Sequence, residues 1–236
     1  MNAGQDIPTL QGAPAVRSMR TIRTVEELED ALSEPSPALV EEMARWDDGL
    51  LVLGAGGKMG PSLCRMAARA FAAAGSRHRV VAVSRFSDPR VRAALEATGV
   101  HTVACDLLDP RAVAELPECG HVVFMAGRKF GSTGAEALTW AENVWLPGLA
   151  ASRLPHARWV AFSSGNVYPF VSPASGGCTE DDPPGPVGEY AQSVLGRERI
   201  LEHFSRTHGT PMVFLRLNYA VELRYGIILD VAQKVW

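Results

Sequence analysis

A cluster of glycines at residues 54–60 predicts a binding chemistry. Gly54 allows a tight turn, Gly57 lets backbone amides approach a pyrophosphate, and Gly60 lets the next helix pack closely. Apolar residues precede the turn and a helical pattern follows it, so a helix N-terminus would face the anion. This context is typical of a dinucleotide site, with Lys58 and Met59 on the turn. The alternative is an ordinary strand-to-helix turn in another α/β protein.

The end of the second predicted strand indicates which dinucleotide would bind. An acidic residue there binds the ribose 2′-hydroxyl of NAD, whereas a basic residue accommodates the 2′-phosphate of NADP. This strand ends in Ser84 and Arg85, and the hydroxyl and the positive charge favour NADP. NAD stays open, because Arg85 could equally be a solvated loop residue.

Two further strand ends predict contacts with the rest of a dinucleotide. Asp106 could place a carboxylate near the adenine amino group, with Leu107 against the face of the base. Asp109 is instead predicted to cap the next helix, because a proline follows it. Ala126 and Gly127 follow the fourth strand, where small residues let the backbone lie close to a ribose.

Hydroxyl groups that can move protons follow the fifth strand. Ser163 and Ser164 lie at its end, and Tyr190 begins the next long helix. Each has a structural explanation when taken alone, since a strand-end serine commonly satisfies a backbone group and a tyrosine at a helix start is commonly part of the core. Together, in this order, they predict a hydrogen-bonding hydroxyl and an acid/base.

These motifs give the chain its resemblance to a known family. The glycine turn, the Asp106-Leu107 pair, the Ser-Ser-x-x-Val-Tyr sequence at residues 163–168 and the helix-starting Tyr190 resemble an extended short-chain dehydrogenase/reductase of the NAD-dependent epimerase/dehydratase family. The resemblance covers roughly residues 49–236. It implies that hydride passes between a substrate and a nicotinamide while the tyrosine moves a proton.

The resemblance also assigns roles to individual residues. It makes Ser164 the hydroxyl that binds the substrate oxygen and Tyr190 the acid/base. Asn143 matches an asparagine that the family commonly places on the helix after the fourth strand, and Ser163 matches a position that helps to line the nicotinamide site. The implied substrate is a small molecule with a hydroxyl or carbonyl group, with nucleotide sugars or related carbohydrates as the leading class.

The chain departs from the family at one position. The family pattern is Tyr-x-x-x-Lys, in which the lysine binds the nicotinamide ribose and lowers the pKa of the tyrosine, and here Val194 stands in that place. An unassisted tyrosine titrates near 10, so about one in a thousand is ionised at neutral pH, a deficit of roughly 4 kcal/mol. The positive charge of the missing lysine could come from the ring of an oxidised cofactor. It could also come from Arg128 or Lys129, unless these two are solvated loop residues, and Arg197 is a weaker candidate.

Two functions therefore stay open. The first is an NAD(P)-dependent oxidoreductase or epimerase/dehydratase. The second is a cofactor-binding sensor or scaffold whose catalysis is weakened or lost because Val194 replaces the lysine. Retention of Ser164 and Tyr190 favours the enzyme, although a shared fold does not establish a chemistry.

Short apolar segments alternate with helical patterns along the chain. The predicted strands cover residues 50–53, 79–84, 100–105, 121–126, 158–162 and 212–215. The predicted helices cover about residues 58–74, 88–97, 135–152 and 188–207. Such alternation predicts an α/β fold with a Rossmann-type doubly wound parallel sheet.

The segments outside this pattern suggest three parts. Residues 1–48 form an N-terminal extension with two short helices, which begin at the Thr24 capping box and at Ser36. Residues 49–218 form the dinucleotide-binding domain, with a long loop at residues 172–188. Residues 219–236 begin a substrate-binding lobe that is expected to be incomplete, because extended family members continue beyond this point.

Composition excludes several classes of function. The chain has 236 residues, 47% of them hydrophobic, and a formal net charge of -3, so no electrostatic footprint for nucleic acid or an anionic membrane is evident. Without a signal sequence or a membrane-length apolar run, the protein is expected to be cytoplasmic. The spacing of cysteines and histidines predicts reduced thiols and no metal site. The family resemblance implies a homodimer, formed through helices beside the sheet.

Overall fold

A six-stranded parallel sheet forms the centre of the molecule. The structure is a computed structural model that describes residues 21–129, 131–218, 221 and 223–235. Within these residues the strands are β1 (Leu50–Leu53), β2 (Val80–Ser84), β3 (His101–Ala104), β4 (His121–Phe124), β5 (Arg158–Ser164) and β6 (Met212–Leu217). Their order is β3-β2-β1-β4-β5-β6, and each adjacent pair is parallel. The predicted Rossmann-type doubly wound sheet is confirmed.

Helices cover both faces of the sheet. They are α1 (Val25–Leu32), α2 (Pro37–Met43), α3 (Gly60–Ala73), α4 (Pro89–Glu96), α5 (Pro110–Ala114), α6 (Glu136–Trp140), α7 (Leu146–Arg153), α8 (Glu189–His208) and α9 (Ile227–Val235). The single helix predicted at 135–152 is divided, because a π-helical turn at Ala141–Trp145 separates α6 from α7. A π-helical turn inserts one residue into an otherwise helical pattern, and nothing in the apolar spacing marked it.

Local capping explains where several helices begin. The Thr24 hydroxyl accepts a hydrogen bond from the Glu27 N–H at 3.1 Å, and Ser36 caps α2 in the same way at 3.2 Å. Asp109 accepts from the Arg111 N–H at 2.9 Å, so its predicted capping role is confirmed. Residues 1–20 of the predicted N-terminal extension lie outside the described residues.

The core lies on both faces of the sheet, which is why the strands are apolar without alternation. Leu51 and Leu53 pack with α5, α7 and α8 on one face. Leu50 and Val52 pack with α2, α3 and α4 on the other face. This two-sided burial fixes the central strands and leaves their carboxyl ends facing a crevice. In a doubly wound sheet that crevice is the usual binding position, where the chain order reverses between β1 and β4.

Two segments contribute no buried residue to the core. Residues 172–188 contain one short 3-10 turn, Pro173–Ser175, and are otherwise irregular, as predicted. The segment predicted to begin a substrate-binding lobe contains α9, and its last residue, Trp236, lies outside the described residues. Among the helices of the described part, none has both the length and the apolar character needed to cross a bilayer.

Candidate functional site

The turn between β1 and α3 packs backbone against backbone. Gly54 has φ +93°, and an added Cβ there would lie 2.5 Å from the Ala126 nitrogen. At Gly60 an added Cβ would lie 2.2 Å from the Ala55 oxygen. Any side chain would therefore force β1 away from β4, or α3 away from the turn. Gly57 differs, because its nearest neighbour would be the Gly54 oxygen at 3.6 Å.

A first cavity, of about 410 Å³, lies at the carboxyl ends of β1 to β4. Most of the residues predicted to bind a dinucleotide line it, namely Gly54, Gly57, Ser84, Arg85, Asp106, Leu107, Ala126 and Gly127. The Asp106 carboxylate is exposed and accepts a hydrogen bond from the Leu108 N–H at 3.0 Å. Four separate strand ends, far apart in sequence, thus meet around one space.

A carboxylate that sequence reasoning missed also lines the first cavity. Glu142 lies on the π-helical turn and is buried. Its oxygens lie 3.9 Å from the Arg85 guanidinium and 3.5 Å from the Arg128 guanidinium. Arg128 also donates to the Gly131 carbonyl at 3.1 Å. The Arg128 charge is therefore engaged with Glu142, and Arg128 does not line the cavity that contains Tyr190.

A second cavity, of about 610 Å³, continues from the first beside Gly54 and Gly57. The predicted residues that line it are Lys58, Met59, Ser163, Ser164 and Tyr190. Lys129, a predicted replacement cation, lines it too, together with Arg224 and Tyr225 from the segment after β6. The hydroxyl groups of the predicted acid/base pair therefore share one enclosure with basic side chains.

The two serines at the end of β5 make different hydrogen bonds. Ser164 Oγ accepts from the Asn166 N–H at 3.2 Å and donates to Asn166 Oδ1 at 3.1 Å. Ser163 Oγ donates to Glu198 Oε1 at 2.5 Å. Ser164 can exchange the Asn166 amide oxygen for another acceptor, because that bond is local to the following turn. Ser163 is held by the core.

Asn143 lies behind the cavity wall. It is fully buried, and its Nδ2 donates to the Arg128 carbonyl at 3.0 Å and to Ser193 Oγ at 2.9 Å. Its Oδ1 accepts from the Arg128 N–H at 2.8 Å and from Arg197 Nη2 at 2.7 Å. Both atoms of its side-chain amide therefore have protein partners, and its contact with a cofactor stays a prediction.

Arg197 is buried on the same side of the cleft. Its Nη1 donates to the Phe162 carbonyl at 2.8 Å, and its guanidinium lies 5.5 Å from the centre of the Phe124 ring. Burial lowers the pKa of Arg197 to about 10, whereas the charges of Tyr190 and Glu198 act in the opposite direction. The guanidinium therefore stays protonated at neutral pH.

A buried ion pair supports the end of β5. The Glu198 carboxylate accepts from Arg216 Nε at 3.0 Å and from Arg216 Nη2 at 2.8 Å. Arg216 Nη1 donates to the Tyr168 hydroxyl at 2.7 Å. The hydrogen bonds from Arg216 to Glu198 and Tyr168 raise the pKa of Arg216 above its usual value. The pair fixes Glu198 where it accepts the hydrogen bond from Ser163 Oγ.

Sequence reasoning missed Glu142, Ser193, Glu198 and Arg216. One signal was available for Glu198, which is a charged residue on the inward face of α8, four residues after the apolar Val194 and therefore on the same side of the helix. The other partners depend on which strand ends and helix turns meet in space. Contacts between such distant elements produce no recognisable local pattern in the sequence.

The cysteines and histidines of the described residues form no reactive centre. All four cysteines are free, and Cys64 and Cys105 are buried. Burial raises the pKa of the Cys64 thiol to about 12, so this thiol is neutral and unreactive at neutral pH. Among the residues described, no group of three or more His, Cys, Asp or Glu side chains could hold a metal ion.

One protein family matches most of this architecture. The sequence model of the NAD dependent epimerase/dehydratase family matches residues 50–221. No curated protein sequence matches the chain. The family match contains the glycine turn, all six strands and α8, so it covers both cavities except for the residues contributed after position 221.

Solved structures with the same fold include three nucleotide-sugar enzymes. UDP-glucuronic acid 4-epimerase from Bacillus cereus, in complex with NAD, has a TM-score of 0.60 at 19% identity, over 75% of this chain and 59% of that one. The UDP-Glc/GlcNAc 4-epimerase from Campylobacter jejuni has a TM-score of 0.62 at 20% identity, over 72% and 53%. The dTDP-glucose 4,6-dehydratase from Streptomyces venezuelae, with NAD and TYD bound, has a TM-score of 0.61 at 22% identity, over 71% and 54%. The chain thus spans little more than half the length of these proteins.

Proposed function

The chain belongs to the NAD-dependent epimerase/dehydratase family, and from that premise we propose that it is an NAD-dependent enzyme acting on a nucleotide sugar. Its reaction would begin with oxidation of a hydroxyl-bearing carbon and lead to epimerisation or dehydration. The observation that carries the proposal is the joining of two cavities at the glycine turn. One has the strand-end residues of a dinucleotide site, and the other has the serine and tyrosine hydroxyls.

The residues of the first cavity fit a dinucleotide. Gly54 and Gly60 tolerate no side chain, which keeps the turn close to the sheet and leaves the N-terminus of α3 facing the crevice. Asp106 and Leu107 line the part of the cavity proposed for adenine, and Ala126 and Gly127 line the part proposed for a ribose. NAD, when bound, would accept a hydride from the substrate carbon and later return it.

Ser164 and Tyr190 would perform the proton chemistry. Ser164 Oγ would donate its hydrogen bond to the substrate oxygen in place of Asn166. Tyr190, as phenolate, would accept the hydroxyl proton while the hydride leaves the same carbon, so that an O–H and a C–H bond break and a C=O bond forms. Tyr190 would return the proton when the carbonyl is reduced.

A nucleotide sugar suits the second cavity. Lys58, Lys129 and Arg224, which is paired with Glu29, outnumber the one carboxylate among the described lining residues, Asp230, and this excess of positive charge favours a diphosphate. The structural relatives are enzymes of UDP- and dTDP-sugars. We propose that the segment after β6, which contributes Arg224 and Tyr225, begins the lobe that selects the sugar.

Cofactor preference depends on two opposing side chains. The relatives from Bacillus cereus and Streptomyces venezuelae have NAD bound. Arg85 would favour the 2′-phosphate of NADP, and its partner Glu142, 3.9 Å away, would repel that phosphate. We propose that Arg85 keeps NADP acceptable and that Glu142 limits this preference.

The proposed function is tested with the purified full chain. NAD-loaded protein is incubated with UDP-glucose, UDP-glucuronic acid and dTDP-glucose, and nuclear magnetic resonance is used to detect an epimer or a 4-keto product. Tyr190→Phe should bind NAD as the unmodified chain does and lose turnover by about 10²- to 10⁴-fold. Tyr168→Phe, the same change at a residue outside both cavities, should retain turnover. NAD binding without turnover of any of these sugars would overturn the proposal.

That negative result would favour the second candidate, a cofactor-binding sensor or scaffold. The specific observation behind this alternative is Val194, which is buried and apolar where the family has its lysine. A sensor should bind NAD and change its stability or assembly without transforming a sugar. Val194→Lys would then be expected to create turnover that the unmodified chain lacks.

The proposed assembly is a homodimer formed beside the sheet. An apolar groove of about 560 Å³ lies between residues 140–152 and helix α8. Its lining includes Trp140, Trp145, Ile200 and Phe204. The Trp145 side chain is exposed, with 57% of the residue accessible. An exposed groove of this kind is typical of an association surface.

A further inference from the structure

Helix α8, which carries Tyr190 in its first turn, has no cation at the position of the family lysine. Val194 occupies it, and only 1% of its surface is accessible. Its side chain packs in the core and has no polar atom that could bind a ribose or a phenol. Any positive charge that assists Tyr190 must therefore come from another turn or another element.

Arg197, one turn further along α8, is held immediately behind the cleft. Its Nη2 approaches Gly127 so closely that an added Cβ on that glycine would lie 2.0 Å from it. Its three hydrogen bonds go to the Phe162 carbonyl at 2.8 Å, Asn143 Oδ1 at 2.7 Å and the Asn143 carbonyl at 3.4 Å. Gly127 is thus the thin part of the wall between the guanidinium and the first cavity.

The charge of Arg197 has no carboxylate partner within ion-pair distance among the described residues. All three of its acceptors are neutral oxygens. The adjacent Glu198 is committed to Arg216 and Ser163. A buried cation with neutral partners is costly to stability, and it projects a positive potential through a region of low dielectric constant.

Arg197 is also connected to Tyr190 through hydrogen bonds. Asn143 accepts from Arg197 and donates to Ser193 Oγ at 2.9 Å, and Ser193 Oγ in turn donates to the Tyr190 carbonyl at 2.8 Å. On its other side, Arg197 holds the Phe162 carbonyl, directly before Ser163 and Ser164. One guanidinium thereby links the two elements that carry the proposed acid/base pair.

We propose that Arg197 supplies the positive charge that Val194 does not, as a positioning residue that favours the phenolate of Tyr190 and fixes the ends of β5 and α8. This inference rests on the proposed function. The other charged side chains that line the cavity of Tyr190 are exposed, so solvent screens their charges; they are Lys58, Lys129, Arg224 and Asp230. Arg197 acts from a buried and fixed position.

The test compares Arg197→Met, Arg197→Lys and Arg197→Met combined with Val194→Lys. Arg199→Met, a change of an exposed arginine on the same helix, is the control, and Lys129→Met tests the rival cation in the cavity of Tyr190. With a sugar that turns over, Arg197→Met should lower kcat by about 10- to 100-fold at neutral pH, with the half-maximal pH moved upward and the NAD Kd unchanged. Arg197→Lys should retain most of kcat, and Val194→Lys should restore kcat in the Met variant.

A second readout does not depend on turnover. The ultraviolet absorbance of tyrosinate is titrated in NAD-loaded protein, and the Tyr190 signal is the difference from Tyr190→Phe. In Arg197→Met this signal should move to higher pH, whereas in Arg199→Met and in Lys129→Met it should stay in place. If no sugar turns over, the proposed function fails and this titration still decides the role of Arg197.

Three results would overturn the inference. The first is an Arg197→Met variant that binds NAD and keeps the tyrosinate titration and pH profile of the unmodified chain. The second is a shift caused by Lys129→Met in its place. The third applies if Arg197→Met does not fold, and it uses Val194→Lys alone. This variant should change kcat and the tyrosinate titration little, because a cation is already present. A gain in kcat of about 100-fold would contradict the inference.

Discussion

Glu198 and Arg216 form a two-point ion pair beside Ser163, with N–O distances of 2.8 and 3.0 Å. Glu198 is fully buried, and Arg216 is mostly buried. The pair joins α8 to the edge strand β6, and it places a carboxylate oxygen 2.5 Å from Ser163 Oγ. The position of one serine at the cleft thus depends on a charge pair that does not line the cavity.

Breaking this pair should cost considerable stability. Arg216→Met would leave Glu198 buried without a counter-charge, and we expect the free energy of unfolding to fall by about 3–5 kcal/mol. Arg206→Met is the matched control, because Arg206 lies 4.0 Å from Glu202 at the surface and should change stability by less than about 0.5 kcal/mol. Urea unfolding measures both, and equal losses would contradict the prediction.

The glycine turn should reject a methyl group far more strongly than an ordinary positive-φ glycine does. Gly54→Ala adds a clash with Ala126 to an unfavourable φ of +93°, whereas Gly75→Ala, at φ +66°, meets nothing within 4 Å. Gly75→Ala should therefore cost only about 1–2 kcal/mol. We expect Gly54→Ala to be at least about 2 kcal/mol less stable than that control and to lose NAD binding in calorimetric titration. Similar stability and affinity in the two variants would rule this out.

Cofactor selectivity should respond in opposite directions to two substitutions. Arg85→Ala should weaken NADP binding by about 10- to 100-fold with little effect on NAD, because a charged hydrogen bond to the 2′-phosphate is lost. Glu142→Gln should strengthen NADP binding, because a repelling carboxylate 3.9 Å from Arg85 is removed. Titrations with both dinucleotides check this, and unchanged NADP-to-NAD ratios would refute the assignment of Arg85.

Stability should fall at alkaline pH through Cys64. Burial raises the pKa of its thiol from an ordinary 9.0 to about 12. Above the lower value the unfolded chain releases the proton while the folded chain retains it, so the contribution present at lower pH is lost as pH rises. Between about pH 8 and about pH 10 this loss should amount to about 1 kcal/mol, and Cys64→Ala should remove it. Equal pH slopes for the two proteins in denaturant unfolding would disprove this role.

The proposed dimer should depend on Trp145. Trp145→Glu places a charge in the apolar groove and should shift the protein towards monomer by at least about tenfold in dissociation constant. Phe170→Glu is the control, because Phe170 is exposed but does not line that groove. Sedimentation and scattering measurements distinguish the species. A monomeric unmodified chain, or a dimer unaffected by Trp145→Glu, would exclude this surface.

The features that the sequence predicted correctly depend on residues that are close together along the chain. The glycine turn, the caps at Thr24, Ser36 and Asp109 and the apolar strands follow from local geometry. The sheet order followed from alternation of strand and helix patterns and from the family resemblance. For the same reason the strand ends around the first cavity could be named in advance.

What the sequence did not reveal was governed by contacts between distant elements. Arg197 was the weaker candidate because it lies two turns from Tyr190, yet the structure places its guanidinium at Asn143, Phe162 and Gly127. Arg128 was a leading candidate, but its guanidinium turns towards Glu142. Long side chains can reach several neighbours, and only the assembled fold selects among them.

The π-helical turn Ala141–Trp145 makes this stretch of chain sensitive to length. Its extra residue lets Glu142 and Asn143, which are consecutive, both be buried at the cleft, while Trp140 Nε1 still reaches Glu189 at 2.5 Å. Deleting one residue here would restore regular α-helical spacing with α6 and α7 in nearly the same relative rotation, because the five residues of this π-helical turn sweep about the same angle as four residues of an α-helix. A homologous chain without this residue should therefore keep α6 in register with α7 and bury only one of these two polar side chains at the cleft.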